Sequence, residues 1–385
     1  MKGHMRAGLL NASCMLGHAL LLLWTTDPSI AQNYPAKALT IKVAFPAGGP
    51  ADASIRAANV VLERHLGKPI VTENIPGANG SIAAAAVLKA SPDGYTLLGT
   101  TGFDFITAPV TMPSARYEPG KFKLIGIVGD SDFVLLSSRA HAFKTIDELI
   151  DYALKPGNKE LTLAHWGAGS SAQVVGADFQ NRTGTKFLEV PYKGVAPVIA
   201  DMLGGHIDLA FVPIGGGTLS LIQAGEVNPI AIASAERNPM LPTVPTLSES
   251  AKIGKFEYSI WAALFAPPDT PDEVVARLND AMNAWSASDQ NLERIKANAS
   301  RSVAPMDVSR AMSFFKSERR SIWRSLGRFR SSRSRESTAR YWKSHQTGGA
   351  PVEASAGSLE GRGDRGIPQE TSARSKDNGP RPPDP

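Results

Sequence analysis

Two glycine-rich loops carry the residues best suited to bind a small anion. The first is Phe45-Pro-Ala-Gly-Gly-Pro-Ala-Asp52 and the second is Asn74-Ile-Pro-Gly-Ala-Asn-Gly80. Each follows a short strand-like run and precedes an alanine-rich helical pattern. Backbone N–H groups at the start of a helix are unpaired and carry the positive end of the helix dipole, and glycine lets a carboxylate or phosphate come close to them. The two loops therefore predict a pair of anion cradles.

A third loop of the same kind is Gly167-Ala-Gly-Ser-Ser171, which follows a strand pattern at 161–164 and begins another helix. Two threonines, Thr100 and Thr101, follow a further strand pattern at 95–98. Their hydroxyls can donate and accept hydrogen bonds. These residues predict a second polar or anionic contact for the same ligand.

Enzyme chemistry finds little support in the motifs. The third loop is not the Gly-x-Ser-x-Gly nucleophile elbow, and the first two loops lack the Gly-x-Gly-x-x-Gly dinucleotide pattern. The seven histidines show no metal-ligand spacing. His165 and Ser170 form the one pair that could serve hydrolysis, although a lone histidine at a strand end is usually just a polar neighbour. We expect no catalytic residue, no cofactor and no metal.

The elements that must position these loops alternate between strand and helix. A strand pattern at 39–45 is followed by apolar residues at helical spacing and by Gly67, a helix stop signal. The same βα order repeats at 69–73 and 81–90, and a third strand pattern follows at 95–98. In an open α/β sheet, ligands bind outside the carboxyl ends of the strands, where these loops would lie.

A second βα series begins near residue 140. Thr145 and Glu148 form a capping box before one helix, a further helix is predicted at 195–203, and a strand is predicted at 204–211. Near Phe256 the chain returns, with a strand at 259–265 and a second capping box, Thr270-Pro-Asp-Glu273, before a helix that runs to about Trp285. We therefore predict an α/β protein with two lobes.

The amino-terminal residues are typical of an export signal. Lys2 and Arg6 precede a mostly apolar stretch at 7–24, and Ser29-Ile-Ala31 is a small-residue cleavage pattern. We expect removal of residues 1–31 after about Ala31 and a periplasmic product; the alternative is an uncleaved anchor. Cys14, the only cysteine, would leave with the leader.

Charge separates the body of the chain from its end. Residues 317–385 hold 14 basic and 8 acidic residues, which leaves 41 − 14 = 27 basic against 36 − 8 = 28 acidic residues elsewhere. The folded part is thus close to neutral and gives no reason to expect a nucleic-acid partner. Residues 327–385 are rich in Arg, Ser, Gly and Pro, which predicts a disordered basic tail. A frameshifted end, a real extension and a functional basic arm remain alternatives.

Several motifs, in this order, resemble the Bug-type periplasmic solute-binding receptors of tripartite tricarboxylate transport. The resemblance covers residues 34 to about 320 and rests on Tyr34-Pro35, Phe45-Pro-x-Gly-Gly-x-x-Asp52, Asn74-x-Pro-Gly-Ala-x-Gly80, Pro92-Asp-Gly-Tyr95, Val190-Pro-Tyr-Lys-Gly194, Gly204-Gly-x-x-Asp208, Pro242-x-Val-Pro-Thr246 and Trp261-x-x-Leu-Phe-Ala-Pro267. It implies a type II periplasmic binding fold, a hinged clamp whose first lobe comprises residues 32–138 and 257–326 and whose second lobe comprises residues 139–256.

The resemblance also implies a binding mode. One ligand carboxylate would lie between the first two loops, held by main-chain donors and bridging water, and its distal end would meet the threonines and the third loop. The expected ligand-binding residues are Phe45, Pro46, Ala47, Gly48, Gly49, Asp52, Gly77, Ala78, Asn79, Gly80, Thr100, Thr101, Gly169, Ser170, Ser171 and Asp208. The implied partners are a small organic carboxylate and membrane permease subunits. A membrane sensor in place of the permease is the alternative, and we expect a monomer.

Two acidic residues and the ligand stay open at this point. Asp52 could meet a ligand amino group or cap the following helix, and Asp208 could lie near the cleft or order its own turn. The chain departs from the family pattern with Ala47 in place of a proline, Asn79 in place of a glycine and Ala172-Gln173 in place of a Ser-His pair. The last change, and the lack of an acidic or amide residue at Phe211-Val-Pro213, remove polar groups from the expected pocket. A monocarboxylate or an aromatic or aliphatic acid is therefore as plausible as a dicarboxylate.

Overall fold

The computed structural model describes residues 34–328, except residues 113, 142, 216 and 299. The predicted leader and the predicted tail beyond residue 328 lie outside the described residues. Among the described helices, none has both the length and the apolar character needed to cross a membrane.

Strands and helices alternate through the first part of the chain. Their order is β1 (Leu39–Val43), α1 (Pro50–Leu66), β2 (Ile70–Asn74), a 3₁₀ turn (Ala78–Gly80), α2 (Ser81–Leu88), β3 (Thr96–Thr101), α3 (Gly102–Thr111), a 3₁₀ turn (Pro119–Lys121) and β4 (Lys123–Ser137). Helix α1 ends as predicted at Gly67, which adopts the left-handed conformation at φ +69°.

The second part continues the alternation. Its elements are α4 (Ile146–Leu154), β5 (Thr162–His165), α5 (Ser171–Thr183), β6 (Leu188–Pro191), α6 (Val195–Leu203), β7 (Leu209–Pro213), α7 (Thr218–Gln223), β8 (Asn228–Ile232), a 3₁₀ turn (Leu247–Glu249), β9 (Ser259–Ala266), α8 (Asp272–Ser286), α9 (Asp289–Asn298) and α10 (Val308–Arg328).

The strands form two sheets that share β4. In the first sheet the order is β2-β1-β3-β9-β4, with β1 parallel to β2 and β3 and with β9 antiparallel to β3 and β4. In the second sheet β4 lies between β7 and β8, and β5 joins β7 to β6 in parallel. The carboxyl ends of β1, β2 and β5 each precede one of the three glycine-rich loops, and Thr100 and Thr101 form the carboxyl end of β3.

Strand β4 connects the two lobes. Its residues 123–132 pair with β9, and its residues 133–137 pair with β7 and β8. The chain returns between Phe256, which packs in the core of the second lobe, and Ser259, where β9 begins. Two adjacent crossings of this kind suit a hinge between lobes.

The predicted helix starts have different outcomes. The Thr145 hydroxyl accepts a hydrogen bond from the Glu148 N–H at 3.2 Å, which confirms Thr145 as the cap of α4. The reciprocal bond of a capping box is replaced, because the Glu148 carboxylate accepts the Lys144 N–H at 2.8 Å. The second capping box is wrong, because the Thr270 hydroxyl donates to the Pro267 carbonyl and Pro271 occupies the N-cap of α8. Helix α3 was not predicted, because Gly102, Pro109 and its aromatic and β-branched residues all have low helix propensity.

Candidate functional site

A cleft of about 620 Å³, including its open mouth, lies between the two lobes beside the β4 crossing. Its walls are mostly apolar. The bordering residues are Phe45, Pro46, Gly49, Pro50, Ala51, Ser54, Thr101, Asp104, Gly129, Asp130, Ser131, Trp166, Val195, Pro213, Ile214, Gly215, Ile260, Ala262, Arg294 and Ser300. Of the predicted ligand-binding residues, four border this cleft: Phe45, Pro46, Gly49 and Thr101.

The loop after β1 is braced by Asp52. Its carboxylate accepts hydrogen bonds from the Gly48 N–H at 2.9 Å, from Arg56 Nε at 3.0 Å and from Asn74 Nδ2 at 2.8 Å. Burial acts to raise the pKa of Asp52, but these bonds outweigh it and hold the pKa below its usual value. Asp52 lies inside α1, so it neither caps the helix nor faces the cleft. Ala47 and Gly48 do not border the cleft either.

The loop after β2 turns through four residues with positive φ, namely Gly77, Ala78, Asn79 and Gly80. Asn79 is 2% exposed, and its amide lies 3.4 Å from the Thr107 hydroxyl on α3. None of these four residues borders the cleft, because α3 lies against them. The loop after β2 therefore does not contribute to this cleft, and the expected carboxylate contact between the first two loops stays a prediction.

The loop after β5 is also covered by α3. The Thr107 hydroxyl donates to the Gly169 carbonyl at 2.8 Å, and the Thr111 hydroxyl donates to the Ala168 carbonyl at 3.0 Å. Ser170 caps α5, since its hydroxyl accepts a hydrogen bond from the Gln173 N–H at 3.3 Å. Gly169, Ser170 and Ser171 are thus held between the lobes and do not border the cleft.

Asp104 on α3 occupies the amino end of α5. One carboxylate oxygen accepts the Ser171 N–H at 2.7 Å. The other oxygen accepts the Thr101 hydroxyl at 2.6 Å and the Trp166 indole N–H at 3.0 Å. Burial raises the pKa of Asp104, and the three donors oppose that shift. Thr100, next along β3, is buried and lies away from the cleft.

Asp208 was expected among the ligand-binding residues, but it does not border the cleft. It directly precedes β7, and its carboxylate accepts bonds from the Thr162 N–H at 2.8 Å and from His141 Nε2 at 2.7 Å. Thr162 begins β5, which is parallel to β7, so Asp208 lies at the amino ends of these strands and the cleft lies at their carboxyl ends. Burial acts to raise the pKa of Asp208, but these bonds lower it overall. The residue orders its own turn.

Arg294 on α9 was missed by the sequence analysis, and among the described residues it is the one basic side chain bordering the cleft. Its Nη1 donates to the Ser54 hydroxyl at 3.1 Å and its Nη2 to the Val128 carbonyl at 3.3 Å. Among residues 34–328 no carboxylate forms an ion pair with it, and its Nε is buried without a partner. Burial lowers the pKa of Arg294, but a guanidinium stays protonated in proteins.

Asp130 lies beside Arg294 in the cleft wall but pairs elsewhere. Its carboxylate lies 3.4 Å from Arg301 Nε. Burial raises the pKa of Asp130 to about 6, although the Arg301 charge opposes this. Arg294 therefore leaves a positive charge at the cleft that the neighbouring acid does not neutralise through a direct ion pair.

The candidate hydrolytic pair does not form. The His165 ring contacts Gly167 at 3.1 Å and lies 3.8 Å from Glu189, and the Ser170 hydroxyl caps α5 instead. Burial lowers the pKa of His165, which favours the neutral ring. In the described part of the chain, no group of three or more His, Cys, Asp or Glu residues could hold a metal ion.

Comparisons with known proteins agree with this architecture. The family described as "Tripartite tricarboxylate transporter family receptor" matches residues 55–323. A protein of Agrobacterium vitis, described as "UPF0065 protein in the TAR-I ttuE-ttuC' intergenic region", is 34% identical over 280 residues, which cover 72% of this chain and 80% of that protein.

Solved structures show the same fold. The periplasmic binding protein BugD is 32% identical, with a TM-score of 0.70 over 75% of this chain and 96% of BugD. MatC of Rhodopseudomonas palustris with bound malate is 26% identical, with a TM-score of 0.71 over 76% of this chain and 100% of MatC. The predicted two-lobed periplasmic binding fold is confirmed. The chain belongs to the receptor family of the tripartite tricarboxylate transporters, the periplasmic solute-binding proteins that include BugD.

Proposed function

We propose that this receptor captures one small organic carboxylate in the cleft between its lobes and delivers it to membrane permease subunits. The observation that carries the proposal is Arg294, a cation without an acidic partner in the described residues, in the wall of the interlobe cleft. A carboxylate is the anion whose geometry a guanidinium matches with two parallel hydrogen bonds. The malate bound to MatC supports the same class of ligand.

The electrostatics of the cleft favour binding of a ligand's carboxylate at Arg294. Its guanidinium is partly desolvated, and its two bonded acceptors, Ser54 and Val128, are neutral. An incoming carboxylate would add the missing negative charge in surroundings where water screens it poorly. The apolar walls, among them Phe45, Trp166 and Ile260, would cover the carbon skeleton.

The remaining assignments follow from the same role. We propose that the leader is cleaved after about Ala31, that the mature chain is a monomer, and that it catalyses no reaction. The sequence places the first lobe boundary after residue 138, but β4 changes partners between Asp132 and Phe133. The lobes would therefore comprise residues 32–132 with 257–326 and residues 133–256.

A thermal-shift screen tests the proposal. A ligand that binds only the folded state raises the melting temperature by mass action, so organic acids should stabilise the mature protein in a concentration-dependent way. Sugars and amines of similar size serve as controls. Stabilisation by sugars or amines alone would contradict the carboxylate assignment.

A further inference from the structure

The amino end of α5 already holds an anion that the chain itself supplies. The Asp104 carboxylate accepts the Ser171 N–H at 2.7 Å, the position that a ligand carboxylate would take in an anion cradle. Asp104 lies on α3 of the first lobe, and Ser171 lies 67 positions later in the second lobe. A side chain of one lobe thus fills the anion site of the other.

The occupation of this site is complete. Asp104 is 0% exposed, and its second oxygen accepts both Thr101 and Trp166. No ion pair to Asp104 occurs within the described residues. The positive end of the α5 dipole and the three donors therefore balance its charge.

Helix α3 also covers the carbonyl side of the same loop. Thr107 and Thr111 donate to the carbonyls of Gly169 and Ala168. The Ser171 N–H and the carbonyls of Ala168 and Gly169 are therefore all hydrogen-bonded to side chains of α3. A ligand in the cleft finds the Asp104 group where it would otherwise find the helix end.

The cleft beside this cluster is suited to one negative charge. Thr101, Asp104 and Trp166 border the cleft, as do Arg294, the one basic side chain of its described lining, and Asp130, whose carboxylate lies 3.4 Å from Arg301 Nε. A ligand carboxylate at Arg294 meets a cation. A second carboxylate at the Asp104 end would meet a like charge that is shielded by little water, which is unfavourable.

We propose that Asp104 takes the place of a ligand's second carboxylate, so that this receptor selects acids with one carboxylate and an apolar body. The inference rests on the proposed function of the cleft. It makes Asp104 a specificity-determining residue, which excludes dicarboxylates by occupying their distal site and by its charge.

Matched acids test the inference in the wild-type mature protein. The probes are butyrate with succinate, hexanoate with adipate, and benzoate with terephthalate, each pair differing by one carboxylate. Calorimetry should give a Kd at least tenfold lower for the monocarboxylate of whichever pair binds. A dicarboxylate that binds as tightly as its partner would overturn the inference. If no member of any pair binds, the proposed carboxylate function itself fails.

The variant Asp104→Ser removes the internal carboxylate and leaves the Ser171 N–H open to a ligand. We expect the preference for the monocarboxylate to fall at least tenfold within the binding pair. Asp280→Ser, which removes an exposed carboxylate from α8, is the matched control and should leave the preference unchanged. An unchanged preference in folded Asp104→Ser would also overturn the inference. If that variant does not fold, the wild-type comparison still decides.

Discussion

The loop after β1 and the loop after β5 are alike in sequence, and each binds a carboxylate of the chain itself. At the first loop the Gly48 N–H donates to Asp52 at 2.9 Å, and at the other the Ser171 N–H donates to Asp104 at 2.7 Å. Both loops were predicted to bind a ligand anion. In each loop, a carboxylate of the chain accepts a hydrogen bond from a backbone N–H that would otherwise be available to a ligand anion.

The two carboxylates differ in origin and in compensation. Asp52 lies four positions from Gly48, and Arg56, whose side chain is 47% exposed, balances its charge. Asp104 comes from the other lobe and has donors but no bound cation in the part of the chain that the structure describes. The first carboxylate therefore stabilises one loop, whereas the second joins two lobes.

The largest expected effect is that of Asp104→Ala. Truncation leaves the Ser171 N–H and the Trp166 indole buried without their acceptor, which should lower the free energy of unfolding by about 3 kcal/mol. Urea unfolding followed by circular dichroism measures it. Asp52→Ala, whose partner Arg56 can turn to water, should cost less. A larger loss in Asp52→Ala would reverse the comparison.

Alanine substitutions at Gly80 and Gly49 compare a glycine whose positive φ disfavours a side chain with one whose φ any residue can adopt. Gly80 in the loop after β2 has φ +82°, and an added Cβ would lie 3.1 Å from Ala44 Cβ. Gly80→Ala should therefore cost about 2 kcal/mol in unfolding free energy. Gly49 has φ −73°, and its added Cβ would lie 3.5 Å from the nearest atom. Gly49→Ala is the control and should cost less than about 1 kcal/mol in urea unfolding. Equal losses would refute this account.

Internal carboxylates already occupy both loops. Arg294→Gln therefore tests whether Arg294 supplies the positive charge that binds a ligand carboxylate. Loss of the guanidinium should raise the Kd of a carboxylate ligand about tenfold, roughly 1.4 kcal/mol, because a neutral amide replaces a charge-assisted contact. Calorimetry measures it. Arg277→Gln on the exposed side of α8 is the control. An unchanged Kd in Arg294→Gln would place the carboxylate elsewhere.

The smallest effect concerns pH at the first loop. The pKa of Asp52 is lower in the folded protein than in the unfolded chain, so its ionised form stabilises the fold above the unfolded pKa. This stabilisation is lost as the pH falls through the folded pKa. Asp52→Asn should cost about 1 kcal/mol at pH 7 and progressively less below pH 4. Melting temperatures of both proteins from pH 3 to pH 7 test it; a constant difference would contradict it.

Sequence reasoning succeeded where contacts are local. The limits of α6, the helix cap at Thr145 and the left-handed Gly67 all depend on residues within a few positions. The order of elements and the family motifs then indicated the two-lobed fold. The approximate positions of most strands followed from apolar patterns, but β4 and β8 were not predicted.

The site itself required contacts between distant positions. Arg294 reaches Ser54 across 240 positions, and Asp104 reaches Ser171 across 67. No local pattern marks either residue, and α3 was not predicted because a glycine, a proline and several aromatic and β-branched residues weaken its helical signal. The loop after β2 looked open in sequence, yet packing of α3 against it closes it off from the cleft.

The contact between Trp166 and Asp104 gives the protein an optical reporter. The indole is 3% exposed and donates to a carboxylate of the opposite lobe at 3.0 Å. When the lobes part, that indole meets water, and its fluorescence moves to longer wavelength. Trp261 and Trp285 are buried and Trp323 is half-buried; these three described indoles lie outside the cleft and contribute a steady background. Opening and closing can therefore be followed in the unlabelled protein, in real time and at micromolar concentration.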